Sequence, residues 1–399
     1  MLIKQRFDDI SKLIDNLDIP PTLFKNACEK YKNLAEFLTN NGIKADIYPQ
    51  GSFALGTVVK PYSSEMSGYD LDFICLVEGN REDYDPLELK NEVYDVLQNS
   101  DRYKNKIVNY DKCITIKYAG VDGYDFSIDI VPATDETIVH KIILASKCNK
   151  PELISTTIAI PSIKAKNQEW ISTNPKGYLK WFNEINKPFK NYSELNYRNR
   201  LFNNNKQFYQ SIEKIPDEMI RSSLQRVIQI IKRHRDIYYK RIDKEDLKPL
   251  SSLITTLVTN ICKNESYDKS EFDLLNTVID TLTTYKNPLN IKSDNGCIRY
   301  QNDKWYVDDP SNPESNFADE WNENKKIPNL FFQWISALKE EFVDSINEQD
   351  DQVFRNYISR SFGSTFVQNH WDDKYLTQAP KEISISTYHK PWRKNANNQ

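Results

Sequence analysis

Cysteine is sparse and scattered in this chain. The six residues Cys28, Cys75, Cys113, Cys148, Cys262 and Cys297 include no C-x-x-C pair, and no histidine stands at zinc spacing from them. The pattern points to neither a disulfide framework nor a zinc site, and it fits a reducing compartment, so a cytoplasmic location is expected. Long hydrophobic runs are missing as well: no stretch approaches the roughly 20 apolar residues that span a bilayer. The opening Met1-Leu2-Ile3-Lys4-Gln5-Arg6 also lacks an apolar core of signal-peptide length. Neither export nor membrane insertion is expected. Charge of one sign is absent too, since 53 Lys and Arg stand against 57 Asp and Glu for a net charge of −4. No global field favours a polyanion, and any phosphate binding must be local. There is no repeat of 20–50 residues.

What remains is a chain built to fold. At 399 residues it has room for two or three core-bearing domains. Its 39% hydrophobic content, with 23 Tyr, 18 Phe and 7 Trp, excludes a largely disordered polymer. Residues 5–43 read as one or two helices, with Phe7, Ile10, Leu13, Ile14 and Leu17 at helical spacing before Pro20-Pro21 and Phe24, Cys28, Tyr31, Leu34 and Leu38 after it. The double proline marks the break. Asn41-Gly42 ends the second helix, and 45–49 reads as a short extended segment leading to Gly51-Ser52.

The stretches 69–77, 113–119 and 124–131 are of strand length and rich in β-branched and aromatic residues, with a helical pattern at 86–99 between the first two. After Pro161 the pattern becomes mainly helical, at 217–240, 250–263, 270–285 and 328–347, with strand propensity near 298–307. A boundary near 165 separates a mixed α and β lobe, residues 1–165, from a helical lobe, residues 166–399.

Gln50-Gly51-Ser52 is followed 18 and 20 residues after Ser52 by Asp70 and Asp72. In a strand these two carboxylates share a face with Cα atoms about 7 Å apart, while Leu71 and Phe73 face the other way. They repel one another and raise each other's pKa unless a cation lies between them, and Mg²⁺, which prefers oxygen ligands, would relieve this. In the next strand Asp129 stands between isoleucines, where a carboxylate is costly unless paired or bound to metal. Asp125 lies on the same face and is the other candidate third ligand. Taken alone, D-x-D on a strand is an exposed polar face; the Gly-Ser turn upstream and Asp129 downstream shift the reading to nucleotidyl transfer. Gly51 lets main chain approach a ligand closely, and Ser52 offers a hydroxyl and an N–H where a helix begins.

Three stretches, Gln50 to Thr57, Tyr69 to Asp72 and Ile128 to Ala133, resemble the cGAS/DncV-like nucleotidyltransferases, or CD-NTases, of bacterial CBASS anti-phage defence, a SMODS-type branch of the polymerase-β-like superfamily. Val307 to Ala318 and Ser361 to Phe366 resemble the same family, so the likeness spans nearly the whole chain. It implies an α+β fold with a polymerase-β-like core of mixed sheet and helices, a helical C-terminal lobe, and an active site in the cleft between them. It also implies that Lys232 and Ser252 hold the donor triphosphate with Gln50, Gly51 and Ser52, although by sequence alone Lys232 belongs to a solvated basic face and Ser252 to a helix start.

Asp70 and Asp72 would then bridge two Mg²⁺ ions, with Mn²⁺ able to substitute, and Asp129 would complete the second site and is a candidate proton acceptor. The implied substrates are NTPs, ATP and GTP foremost. The implied product is a purine-containing cyclic di- or trinucleotide read by a separate effector protein, without an obligatory DNA or membrane partner. The zinc-binding insertion of animal relatives is missing, so activation by double-stranded DNA through it is not expected. The alternatives are a template-independent linear oligonucleotide synthase or RNA-tailing enzyme, and a catalytically silent nucleotide-binding module.

Overall fold

The computed structural model describes residues 2–61, 69–121, 124–164, 167–204, 220–288, 291 and 296–376. Two helices open the chain, α1 (Leu2–Asp15) and α2 (Pro21–Asn40), parted by Pro20-Pro21, with Pro21 occupying the first turn of α2, where its missing N–H costs nothing. They serve different cores. Ile10, Leu13, Ile14 and Leu17 are buried with the helices of the C-terminal half, whereas Leu23, Ala27, Leu34 and Leu38 of α2 are buried against the sheet.

The sheet contains β1 (Ala45–Pro49), β2 (Tyr69–Asn80), β3 (Ile107–Asn109), β4 (Ile114–Val121), β5 (Tyr124–Asp135), β6 (Ile158–Lys164) and β7 (Asn167–Thr173). Its order is β1-β2-β5-β4-β3, with β6 joined to the end of β5 and β7 joined to β6. The pair β2 and β5 is parallel, and the other pairs are antiparallel. Parallel neighbours need a long crossover, here supplied by α4 (Pro86–Gln98) and the β3–β4 hairpin. Before β2 comes the five-residue α3 (Gly51–Leu55), and after β5 comes α5 (Ile138–Lys147). Leu71, Phe73 and Cys75 of β2, with Ile128 and Ile130 of β5, point into the core under α2 and α4, which leaves Asp70, Asp72, Ser127 and Asp129 on the opposite face.

The remaining chain is mainly helical: α6 (Pro175–Asn204), α7 (Ser223–Arg241), α8 (Ser251–Cys262), α9 (Glu271–Thr284), α10 (Asp319–Glu323), α11 (Lys326–Leu338), α12 (Asp351–Phe362) and α13 (Ser364–Trp371). Two small hairpins, β8 (Arg299–Gln301) with β9 (Lys304–Tyr306) and β10 (Asp308–Asp309) with β11 (Asn312–Asn316), interrupt it. The architecture is thus α+β, a mixed sheet followed by a helical half.

The two halves are stitched around Asn174. Its amide donates to Leu153 O and Ser311 O, at 2.8 and 3.0 Å, and accepts from Thr156 Oγ1 at 2.8 Å, which ties the end of β7 to the β10–β11 turn. Helix α7 is the spine of the helical half. A capping box between Ser222 and Gln225 starts it, and Leu224, Val227, Ile228, Ile230 and Ile231 are buried in the core. His234 within it accepts from Trp334 Nε1 at 2.9 Å on Nδ1, so its Nε2 carries the proton and donates to Glu341 at 3.2 Å. Among the described residues no helix is long and apolar enough to cross a membrane.

Candidate active site

Strand register assembles the carboxylates. In the parallel pair Asp72 stands opposite Asp129 and Asp70 opposite Ser127. Because side chains alternate along each strand, all four project from one face. Ser127 Oγ donates to Asp70 Oδ1 at 2.5 Å, and Thr115, opposite Asp129 on β4, donates to Asp129 Oδ1 at 2.5 Å. These hydroxyls orient two of the carboxylates and leave their second oxygens for other partners. Asp125 lies at the start of β5, but its side chain is outside the described residues.

The Gly-Ser turn is pressed against this face. Gln50 N donates to Asp72 O at 2.8 Å, which brings the chain from the end of β1 over the middle of β2. Gly51 follows with a φ of +60°, a region that costs other residues roughly 1–2 kcal/mol. A Cβ at Gly51 would sit 2.6 Å from Asp72 Oδ2. Glycine is therefore required twice, by the main-chain angle and by the carboxylate beside it. Ser52 follows in α3, half-buried.

Helix α7 forms the other wall. Lys232 is 4% exposed, and its Nζ donates to Thr57 Oγ1 at 3.1 Å. It is not the solvated basic residue that the sequence alone suggests. Arg235, one turn further, donates to Pro249 O and Ser251 Oγ, both at 3.0 Å, and so fixes the start of α8 against α7. Ser252 sits in that first turn, half-buried, with its carbonyl accepting from Tyr178 Oη at 3.5 Å. The structure thus brings Gln50, Gly51, Asp70, Asp72 and Asp129 into one group with Lys232 behind the turn, while Ser252 stands apart at the start of α8, which Arg235 fixes to α7.

The electrostatics of the two walls oppose each other. Burial, then the neighbouring Asp129 and Asp70, push Asp72 up to about 7, while Lys232 pulls weakly the other way. Asp129 is raised by burial, against the hydrogen bond from Thr115. Burial, then Arg235, bring Lys232 down to about 7. The carboxylate face carries more negative charge than its surroundings neutralise, and all its donors are oxygens, which suits a hard divalent cation such as Mg²⁺. Among the described residues no group of three or more His, Cys, Asp or Glu side chains is placed to hold a metal ion by itself. Mg²⁺ characteristically takes one or two carboxylates and completes its shell with substrate phosphates and water.

Two participants escape the sequence reading. Thr115 lies in an Ile-Thr-Ile alternation, so its face is legible, but its pairing with Asp129 depends on the β4–β5 register. Thr57 belongs to a loop, and nothing local links it to a lysine 175 residues away.

With this geometry in view, residues 1–186 match the family model for a Second Messenger Oligonucleotide or Dinucleotide Synthetase domain, or SMODS. Residues 1–186 of the chain thus form a SMODS domain. A c-di-GMP synthase of Roseivirga ehrenbergii is 26% identical over 342 residues, 84% of this chain and 78% of its own. Among solved structures, Bradyrhizobium diazoefficiens CdnG in complex with GTP superposes with a TM-score of 0.64 at 18% identity, covering 91% of this chain and 97% of CdnG. Escherichia coli MS115-1 CdnC with ATP superposes with a TM-score of 0.58 at 14% identity, covering 90% and 98%. At these identities the superpositions establish a shared fold. With a SMODS domain and c-di-GMP synthase relatives the chain is a nucleotidyltransferase, and both the carboxylate face and the Gly-Ser turn lie within the matched residues.

Proposed function

We propose that this chain joins two purine NTPs, GTP foremost, with release of pyrophosphate, and closes the linear intermediate into a cyclic dinucleotide signal. The observation that carries the reading is the single face on which Asp70, Asp72 and Asp129 stand with a positive-φ glycine pressed against Asp72. The choice of GTP is supported by the Roseivirga relative, named as a c-di-GMP synthase, and by the GTP complex of CdnG.

Each residue has a task in this reading. Gly51 admits the triphosphate because no side chain separates its main chain from Asp72, and Ser52 offers its hydroxyl and N–H to the phosphates. Lys232 and Ser252 hold the far end of the triphosphate from the α7 and α8 side. Asp70 and Asp72 would hold Mg²⁺, with Asp129 completing the set. The ions, when bound, neutralise the triphosphate and lower the pKa of the acceptor hydroxyl. The ribose hydroxyl oxygen forms a bond to the α-phosphorus, the bond to pyrophosphate breaks, and the hydroxyl proton passes to the free oxygen of Asp129. Release and re-binding of the linear intermediate present its own hydroxyl for a second transfer. A separate effector reads the product in anti-phage defence.

The test is product analysis after incubation with all four NTPs and Mg²⁺ or Mn²⁺. Mass spectrometry is expected to show a phosphatase-resistant cyclic dinucleotide containing guanine. A phosphatase-sensitive ladder would instead establish a linear oligonucleotide synthase. Undiminished pyrophosphate release from the Asp70→Ala, Asp72→Ala double variant would remove the carboxylates from the chemistry.

A further inference from the structure

The face of α7 that carries Lys232 also carries Gln225 and Gln229, at positions i, i+4 and i+7 of one helical stripe. All three are buried, Gln225 at 6% exposed and Gln229 at 0%, and all three reach the same short piece of main chain. Gln225 Nε2 donates to Leu55 O at 2.8 Å, Gln229 Nε2 donates to Val58 O at 2.7 Å, and Lys232 Nζ donates to Thr57. A buried amide is costly unless bonded, so these contacts commit both glutamines to the segment 55–58. The helix is held in place by Asp18, whose carboxylate receives Arg221 Nε at 3.0 Å, Gln229 Nε2 at 2.8 Å and Arg226 Nη1 at 2.9 Å.

That segment is the exit of α3, whose entry is the Gly-Ser turn. Carbonyls in the last turn of a helix lack partners within it. In α3, Thr57 N meets Ser52 O at 2.9 Å, Gly56 N meets Phe53 O at 3.2 Å, and Gln225 supplies the donor for Leu55 O. Gly56 makes room for this: its φ is +65°, and a Cβ there would lie 2.5 Å from Gln225 Nε2 and 2.7 Å from Arg221 Nη1. The short helix is therefore gripped at both ends, by Asp72 through Gln50 and Gly51, and by α7 through Gln225. A helix of this length spans about 8 Å, too short to absorb a displacement of either end by bending.

We propose that Gln225 and Gln229 are positioning residues. They fix the phosphate turn over Asp72 from the helical half, in register with Lys232, and transmit any movement of α7 to that turn. This rests on the reading of Gly51-Ser52 as the triphosphate site.

The test compares three variants of the full chain in steady-state pyrophosphate release. Gln225→Glu keeps the oxygen that accepts from Ser222 N in the capping box and removes the donor to Leu55 O. Ser222→Ala removes the cap of the same helix and keeps that donor. Gln225→Met keeps the side-chain length without either polar group and serves if Gln225→Glu does not fold. The expected result is a rise of about tenfold in KM for NTP with kcat within threefold for both Gln225 variants, the signature of lost ground-state binding. Ser222→Ala is expected to lower the melting temperature with KM unchanged. A wild-type KM in both Gln225 variants, or an equal rise in Ser222→Ala, would overturn the positioning role. Absence of pyrophosphate release by the wild-type chain with every NTP would instead overturn the underlying functional reading.

Discussion

The sheet wall and the α7 wall of the site hold opposite charges in the same predicament. On the sheet, Asp72 is pushed up from 3.8 to about 7 by burial and two neighbouring carboxylates; on α7, Lys232 is brought down from 10.5 to about 7 by burial and Arg235. Each wall relieves the other only partly, since burial outweighs their mutual attraction and Lys232 donates its hydrogen bond to Thr57 across the Gly-Ser turn. The difference teaches how the site divides its work. The carboxylate wall is short of cations, the lysine wall is short of anions, and a metal–triphosphate complex supplies both.

Several substitutions would break or sharpen this contrast. Asp72→Asn is expected to have the largest effect, a fall in pyrophosphate release of about a thousandfold or more, since it removes a charge on which metal and triphosphate depend. At pH 8 the same variant is expected to melt at a higher temperature than the wild type without ligand. The sign follows from linkage: between about pH 4 and 7 the folded chain holds a proton on Asp72 that the unfolded chain has lost, so stability declines as pH rises through that window. Lys232 acts in the reverse direction, as its contribution to stability rises between about pH 7 and 10.5. The increase in melting temperature on adding Mg²⁺ is accordingly expected to be greater at pH 8 than at pH 6 in the wild type, and insensitive to that change in Asp72→Asn.

Gly51→Ala comes next, with a loss of about a hundredfold in kcat/KM, because the methyl both opposes a φ of +60° and displaces the Asp72 carboxylate 2.6 Å away. Lys232→Met is expected to raise KM for NTP about tenfold while raising the ligand-free melting temperature, the mirror of Asp72→Asn on the opposite wall. Thr115→Val is expected to lower kcat by only a few-fold and to move the acidic limb of the pH–rate profile upward, since Asp129 loses the hydrogen bond that favours its charged form. An unshifted limb would show that Asp129 does not titrate in the rate.

The sequence spoke most clearly where a local rule decides structure. Pro20-Pro21 splits the first two helices, and strand alternation places Asp70 and Asp72 on one side. It was silent where long-range packing decides. Nothing near residues 2–40 reveals that α1 joins the helical core while α2 joins the sheet. Strand β6 contains Pro161, which argues against a central strand, yet beyond Ala159 β6 pairs only with β7, so the missing N–H is tolerated. In helix α5, Ile138, Val139 and Ile142 are 78%, 69% and 64% exposed while Leu144 is buried, so most of its apolar residues do not mark a core face. The buried glutamines of α7 read as ordinary helix formers until their carbonyl partners, 170 and 171 residues away, are seen.

The parallel pairing of β2 with β5 has a consequence for how the chain acquires its site. Asp70 and the Ser127 that orients it are 57 residues apart, and the chain between them must turn back before Asp72 and Asp129 face each other. Such a pairing closes late, because its loop entropy is spent before any contact repays it. A growing or partly folded chain therefore carries three carboxylates with no shared place for an ion, and the power to bind one arrives only with the finished sheet.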